Sequence, residues 1–173
     1  MAGVREDVEV RRSRRRTRTV SAYRKDGKVI VLIPARFSRA EEDEWVTTML
    51  SRLERSEARR RRTDHQLMRR ARELSAEYLH GRAEPVSVRW VDNMTTRWGS
   101  CTTADRTIRL SDRLQQMPTW VVDYVLLHEL AHLLEPGHNA RFWSHVDRYP
   151  RSERAKGYLE GVAQAANLQL DEL

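Results

Sequence analysis

Residues 118–143 read PTWVVDYVLLHELAHLLEPGHNARFW, and within them His128-Glu129-Leu130-Ala131-His132 is followed by His138. Positions four apart on an α-helix lie about 40° apart around the axis and about 6 Å along it, so His128 and His132 leave the same face one turn apart. Pro118 stands where a helix starts. Val121, Val122, Val125, Leu126, Leu127, Leu130 and Leu133 make the following stretch apolar nearly all round, which predicts a buried helix over 120–134. Pro136-Gly137 breaks it. The break matters, because a continuing helix would carry residue 138 about 9 Å further along the axis, whereas a turn can fold it back as a third ligand. Three neutral imidazoles suit zinc and leave a fourth coordination position for water, the arrangement of a catalytic rather than a structural site. Glu129 lies about 100° around the helix from His128, where its carboxylate can take a proton from zinc-bound water. The competing reading is a set of ordinary core histidines. It would bury two imidazoles and a carboxylate among leucines without partners, a cost that a bound ion removes.

Upstream, Thr17–Arg24 and Lys28–Ile33 flank Asp26-Gly27, a strong two-residue turn signal, and predict a β-hairpin closed by Pro34. Ser38 with Glu41 forms a capping box. Trp45, Met49 and Leu53 then recur every four residues, predicting a helix to about Arg62. Thr63 or Asp64 can cap a second helix carrying Leu67, Met68, Ala71, Leu74 and Tyr78 on one face and ending at Gly81. After Pro85 the period changes: Val86, Val88 and Trp90 alternate with polar residues, and two more short strands are expected near Thr95–Cys101 and Arg106–Ser111. Asn139 can cap a short helix to Arg148, and a last helix is expected from Ser152 to Asn167. No internal repeat is visible in the sequence. The layout is α+β: an N-terminal β-hairpin, two long helices, a short, mostly antiparallel sheet, an active-site helix and C-terminal helices.

Length and composition set the outer limits. The 173 residues, 39% hydrophobic and 33% charged, can bury a core without cross-links and exclude collagen-like or wholly disordered chains. Cys101 is the single cysteine, which excludes an intramolecular disulfide and a cysteine-based zinc finger. The longest clean apolar run near the start is Val29–Ile33, well short of the roughly 18 residues of a membrane span. The first residues have no apolar stretch of the secretory kind, and Leu170 before Asp171-Glu172-Leu173 does not fit an endoplasmic-reticulum retention tail, so the expectation is a soluble, cytoplasmic protein without a membrane partner. The net charge is +7, and its distribution is uneven: residues 1–36 hold 11 basic and 4 acidic side chains, whereas residues 37–173 hold 21 of each. Residues 1–36 are therefore read as a basic hairpin segment packed on a domain formed by 37–173. The run Arg11-Arg12-Ser13-Arg14-Arg15-Arg16 has two readings: a phosphate-binding patch for nucleic acid or nucleotide, or a solvated sheet edge whose charge discourages aggregation.

The stretch 128–143 together with Arg97-Trp98-Gly99-Ser100-Cys101 resembles the YgjP-like metallopeptidases, gluzincin-type relatives of the SprT-like zinc proteases, over about residues 8–167. The resemblance implies a small zincin-like domain, zinc held by His128, His132 and His138, Glu129 as the base, and a peptide or protein substrate. Metzincins share the histidine spacing, but they have Gly where this chain has Glu135 and a methionine turn after the third His, whereas the last methionine here is Met117. Some relatives are assigned nucleoside-triphosphate hydrolysis, so the alternative is a metal-dependent nucleoside-triphosphate phosphohydrolase acting through the N-terminal arginines. Trp98, Gly99 and Ser100 are candidate substrate-binding residues on a strand to which an extended peptide could add. Arg141 is a further substrate-binding candidate, and Arg141, Tyr124 and Tyr149 are candidate oxyanion stabilisers. Phe142 and Trp143 are read as packing behind His138, and His65 and His80 as surface residues.

Overall fold

The structure, a computed structural model, describes residues 7–166. The chain divides into two compact units, Met1–Arg61 and Arg62–Leu173. In the first, β1 (Val8–Ser13), β2 (Ser21–Lys25) and β3 (Lys28–Pro34) precede the start of α1 (Arg39–Leu79). Asp26 and Gly27 join β2 to β3 with φ of 51° and 79°, the left-handed pair whose twist matches that of the flanking strands. The expected hairpin is therefore present, but it is not alone: β1, inside the basic arm, pairs in parallel with the other edge of β3. Val29, Val31 and Ile33 of β3 form a core with Met49, against which Trp45, Val46, Leu50 and Leu53 of α1 pack. This packing is why the division falls within α1 and not at residue 36, where the charge distribution changes.

The two helices expected over 38–80 are one. No Gly or Pro interrupts Arg39–Leu79, so nothing stops propagation once the helix has begun. Asp64, read as a cap, instead accepts a hydrogen bond from the backbone N–H of Trp90 at 2.9 Å. The capping box is formed: the N–H of Ser38 donates to the Glu41 carboxylate at 2.8 Å and the N–H of Glu41 to Ser38 Oγ at 3.3 Å. The helix ends where Gly81, at a φ of 70°, donates its N–H to the Ser75 carbonyl at 2.8 Å.

The second unit continues with β4 (Ser87–Val91), β5 (Gly99–Thr102), β6 (Thr107–Ser111), a 3-10 turn (Asp112–Gln116), α2 (Thr119–His132), α3 (Ala140–Val146) and α4 (Ser152–Ala165). Its sheet has the order β4-β6-β5, with β5 antiparallel and β4 parallel to β6. The sheet is thus mixed rather than mostly antiparallel. The tight turn between β5 and β6 makes them a hairpin, so β4 is left with the far edge of β6 and runs in the same direction. α2 packs on β5 and β6 and is covered by α3 and α4, with Leu126, Leu127 and Leu130 buried against Ile108, Leu110, Phe142 and Leu159. Asn139 caps α3 as expected, its Oδ1 accepting from the N–H of Phe142 at 3.0 Å. Asn167, the expected end of the last helix, lies outside the described residues, as do residues 170–173. The fold is α+β, and among the described residues no helix is long and apolar enough to cross a membrane.

Candidate metal centre

The last turn of α2 carries His128, Glu129 and His132. Beyond it the N–H groups of Leu134 and Glu135 both donate to the carbonyl of Ala131, at 3.0 and 2.9 Å, and close the helix end. The chain then turns at Pro136-Gly137 and brings His138 back. Ring centroids of the three histidines are 5.0 Å (128 to 132), 5.0 Å (128 to 138) and 4.8 Å (132 to 138) apart. One ring nitrogen from each lies within 4.8 Å of the others, a grouping that could hold a metal ion. Nε2 of His128 and Nε2 of His138 are only 3.1 Å apart. His132 donates its Nδ1–H to the carbonyl of Glu135 at 3.3 Å, which fixes its ring and leaves Nε2 with a free lone pair. The ring of Phe142 is buried 4.8, 4.5 and 4.7 Å from those of His128, His132 and His138, and Trp143 stacks on His138 at 5.6 Å. Both aromatics act as packing, as the sequence suggested.

Burial sets the protonation of the group. It pushes the His128 imidazole down to about 3, helped by the charges His132 and His138 would carry. It lowers His132 for the same first cause. Both rings are therefore neutral near pH 7, the state in which imidazole binds a metal. The Glu129 carboxyl, 6% exposed, is pushed up to about 8 by burial, against the opposing pull of Arg97.

β5 faces this cluster and comes unusually close to it. A Cβ on Gly99 would lie 2.5 Å from Oε1 of Glu129 and 2.8 Å from its Cγ, closer than side-chain atoms pack. The glycine expected to mark a close backbone approach marks an approach to Glu129. Together these elements wall a cavity of about 330 Å³ that holds all three histidines and Glu129. Trp98, Gly99 and Ser100 line it, as do Arg97, Cys101, Thr103 and Pro136. Trp98 is buried under the Arg113 guanidinium, 4.6 Å above its ring. Arg141 is not in the lining: its side chain is 83% exposed and sits 3.9 Å from Glu135. Tyr124 is fully buried, and Tyr149 donates its hydroxyl to the carbonyl of Trp120 at 3.2 Å, so neither is presented to the cavity. Sequence reasoning singled out neither Arg97 nor Thr103. Arg97 adjoins the Trp-Gly-Ser stretch, but only the fold reveals its charge acting on Glu129.

Residues 84–161 match the family model described as the YgjP-like metallopeptidase domain. That segment contains β4 to β6, the three histidines and Glu129, so the family model matches the part of the chain on which the resemblance was read. Among solved structures the chain is similar to the metallopeptidase zymogen of Pyrococcus abyssi abylysin, with 24% identity, coverage of 62% of this chain and 98% of that one, and a TM-score of 0.49. Comparison with curated proteins gives no match.

Proposed function

We propose that the protein is a zinc-dependent peptidase, acting on peptide or protein substrates, in which His128, His132 and His138 hold the ion and Glu129 is the base. The observation that carries this reading is the convergence of three imidazole nitrogens, two of them 3.1 Å apart, beside a buried carboxylate. Without an ion one neutral ring can donate its Nε2–H to the other at that separation; with their lone pairs turned to one point the three rings can instead hold a cation, and an all-imidazole set suits zinc. Zinc would supply Lewis acidity toward water and toward a carbonyl oxygen.

The rest is the work of this chain. Glu129 accepts at its carboxylate a proton from the water that attacks the scissile carbonyl, and returns it to the departing amine. Burial, which raises the affinity of this carboxyl for a proton, makes it a stronger base than a solvated one. β5 is the outer strand of its sheet, and its stretch Gly99–Cys101 lines the cavity, so an extended peptide can pair along that edge and present its carbonyl to the centre. Arg97 is the one basic side chain besides the histidines among the described lining residues, and no phosphate-cradling glycine-rich loop is present there. The cavity therefore favours a peptide over a nucleoside triphosphate. A cytoplasmic setting, consistent with a single thiol, belongs to the same proposal.

The test is cleavage of unfolded polypeptides by zinc-loaded protein beside the Glu129→Gln variant. A loss of about 10²–10⁴-fold with zinc retained is expected. Equal cleavage by both proteins would count against the reading, and phosphate release from nucleoside triphosphates without peptide cleavage would replace it.

A further inference from the structure

The charge excess of residues 1–36 plays no part in the peptidase reading, and the structure sorts its described arginines other than Arg15 into two sets. One set is consumed internally. Arg11 pairs with Glu9 and Arg24 with Glu57, while Arg12 donates to the carbonyls of Ala35 and Phe37 and to the Glu42 carboxylate. The other set is Arg14, Arg16, Arg18 and Arg36, which with Thr17 and Ala35 line a single cavity of about 710 Å³. Among the described residues no carboxylate comes within ion-pair distance of Arg14, Arg16 or Arg18, and Arg36 has only the longer-range pull it exerts on the Glu41 carboxyl, which it helps to lower. Two of them are oriented by the backbone: Arg16 donates to the carbonyl of Thr19 at 3.5 Å and Arg36 to that of Thr17 at 2.9 Å. Four like charges around one concavity outnumber the one carboxylate felt by Arg36, that of Glu41, and make a net positive site suited to an anion.

The chemistry of the lining narrows the ligand. The planar fork of arginine matches two oxygens of a phosphate group at once, which the lysine ammonium does not. No aromatic side chain lines the cavity, so there is no platform on which a base could stack. No carboxylate lines it either, so the charged acceptor that could fix a sugar hydroxyl or a base amine is missing. A concave lining suits a chain of phosphates better than a flat lipid surface. We propose that this cavity binds the phosphodiester backbone of a nucleic-acid strand without reading its bases. The proposal does not depend on the peptidase reading.

The experiment titrates a fluorescent, mixed-sequence single-stranded oligonucleotide with the full chain and follows anisotropy across a salt series. If four arginines each neutralise a phosphate, the slope of log affinity on log salt is about −3, so affinity falls about 50-fold between about 50 and 200 mM salt. Replacing two of them, Arg14→Ala with Arg18→Ala, should halve the slope and leave only about a 7-fold fall over the same range. These two side chains make no hydrogen bond or ion pair among the described residues, so the thermal midpoint should not move, and the Gln pair at the same positions gives a second reading. A charge-matched control removes Arg89 and Arg109, neighbours across β4 and β6 in the second unit, and should leave the slope unchanged. Absence of binding at the lowest salt overturns the proposal. So does a control that weakens binding as much as the cavity pair does, because binding would then follow net charge alone. Binding to phosphatidylserine vesicles with none to the oligonucleotide overturns it as well and assigns the arginines to a lipid surface.

Discussion

The two three-stranded sheets of this chain share one plan. In each, the third strand lies in the middle, parallel to the first and antiparallel to the second, and a helix follows. They differ in what that helix brings to the sheet. α1 offers Trp45, Val46, Met49, Leu50 and Leu53 to Val29, Val31 and Ile33, and the layer is dry. α2 offers leucines on one side, but His128 and Glu129 on the side next to β5. Among the described residues every buried polar or charged side chain lies in the second unit. The same strand order therefore serves as scaffold in one place and as the wall of the candidate site's cavity in the other. The difference lies in a few helix positions and one missing Cβ, which is why the fold alone does not tell the function.

The largest expected effect tests the scaffold half of that contrast. Ile33 is fully buried against α1, and Ile33→Ala should cost about 2–5 kcal/mol of unfolding free energy through lost burial and the cavity left behind. Denaturant unfolding would measure it. Zinc stoichiometry of the still-folded variant should remain that of the parent. Loss of zinc under conditions where the variant is folded would mean that the first sheet is part of the site and would break the comparison.

Next in size is the missing Cβ. Gly99→Ala places a methyl carbon where Glu129 Oε1 now lies 2.5 Å away, so the carboxylate or β5 must shift. A displacement of about 1 Å at a catalytic group costs about 10²-fold in rate. The expected result is a fall of that order in kcat with zinc content and KM little changed. The same clash should lower the thermal midpoint of Gly99→Ala, and combining it with Glu129→Ala, which removes the clashing atoms, should restore that midpoint. Ser21 opens β2 as Gly99 opens β5. Ser21→Ala, in the half-buried scaffold strand, should change stability by no more than about 0.5 kcal/mol.

These sites also mark how far the sequence could be read. The histidine cluster was legible because its determinants are local: two residues four apart on an apolar helix, a breaker, and a third six further on. The β2–β3 hairpin was legible for the same reason, through Asp26-Gly27. The continuity of α1 was not, because Thr63-Asp64 has the chemistry of a cap while its real partner, the N–H of Trp90, is distant in sequence. β1 was hidden because Val8 and Val10 are its only apolar residues, in a segment dominated by charge. The pairing of Gly99 with Glu129 and the electrostatic pull of Arg97 join elements that only tertiary packing brings together.

A smaller effect probes the loop that returns His138. Asn139 Oδ1 accepts from the N–H of Phe142, and its Nδ2 donates to the Glu135 carboxylate at 3.3 Å. Asn139→Ala removes a cap worth about 1 kcal/mol. It should lower the thermal midpoint by a few degrees and weaken zinc binding by several-fold, read by competition with a chelator. No change in zinc affinity would show that His138 is held by Phe142 and Trp143 alone.

The smallest effect concerns Cys101, two residues along β5 from Gly99 and the only thiol of the chain. Burial pushes its thiol up to about 11, and the Glu129 carboxylate adds to the shift. An ordinary cysteine titrates near about 8.5, so this one carries far less thiolate at neutral pH and should be alkylated slowly. The rate should climb about tenfold per pH unit through the range where a solvated thiol has already levelled off. Glu129→Gln removes the second and smaller cause, so it should accelerate alkylation modestly while leaving most of the retardation in place. If the rate instead levelled off near 8.5, Cys101 would be in water. β5 would then stand away from α2, and the close approach that separates the second sheet from the first would be lost.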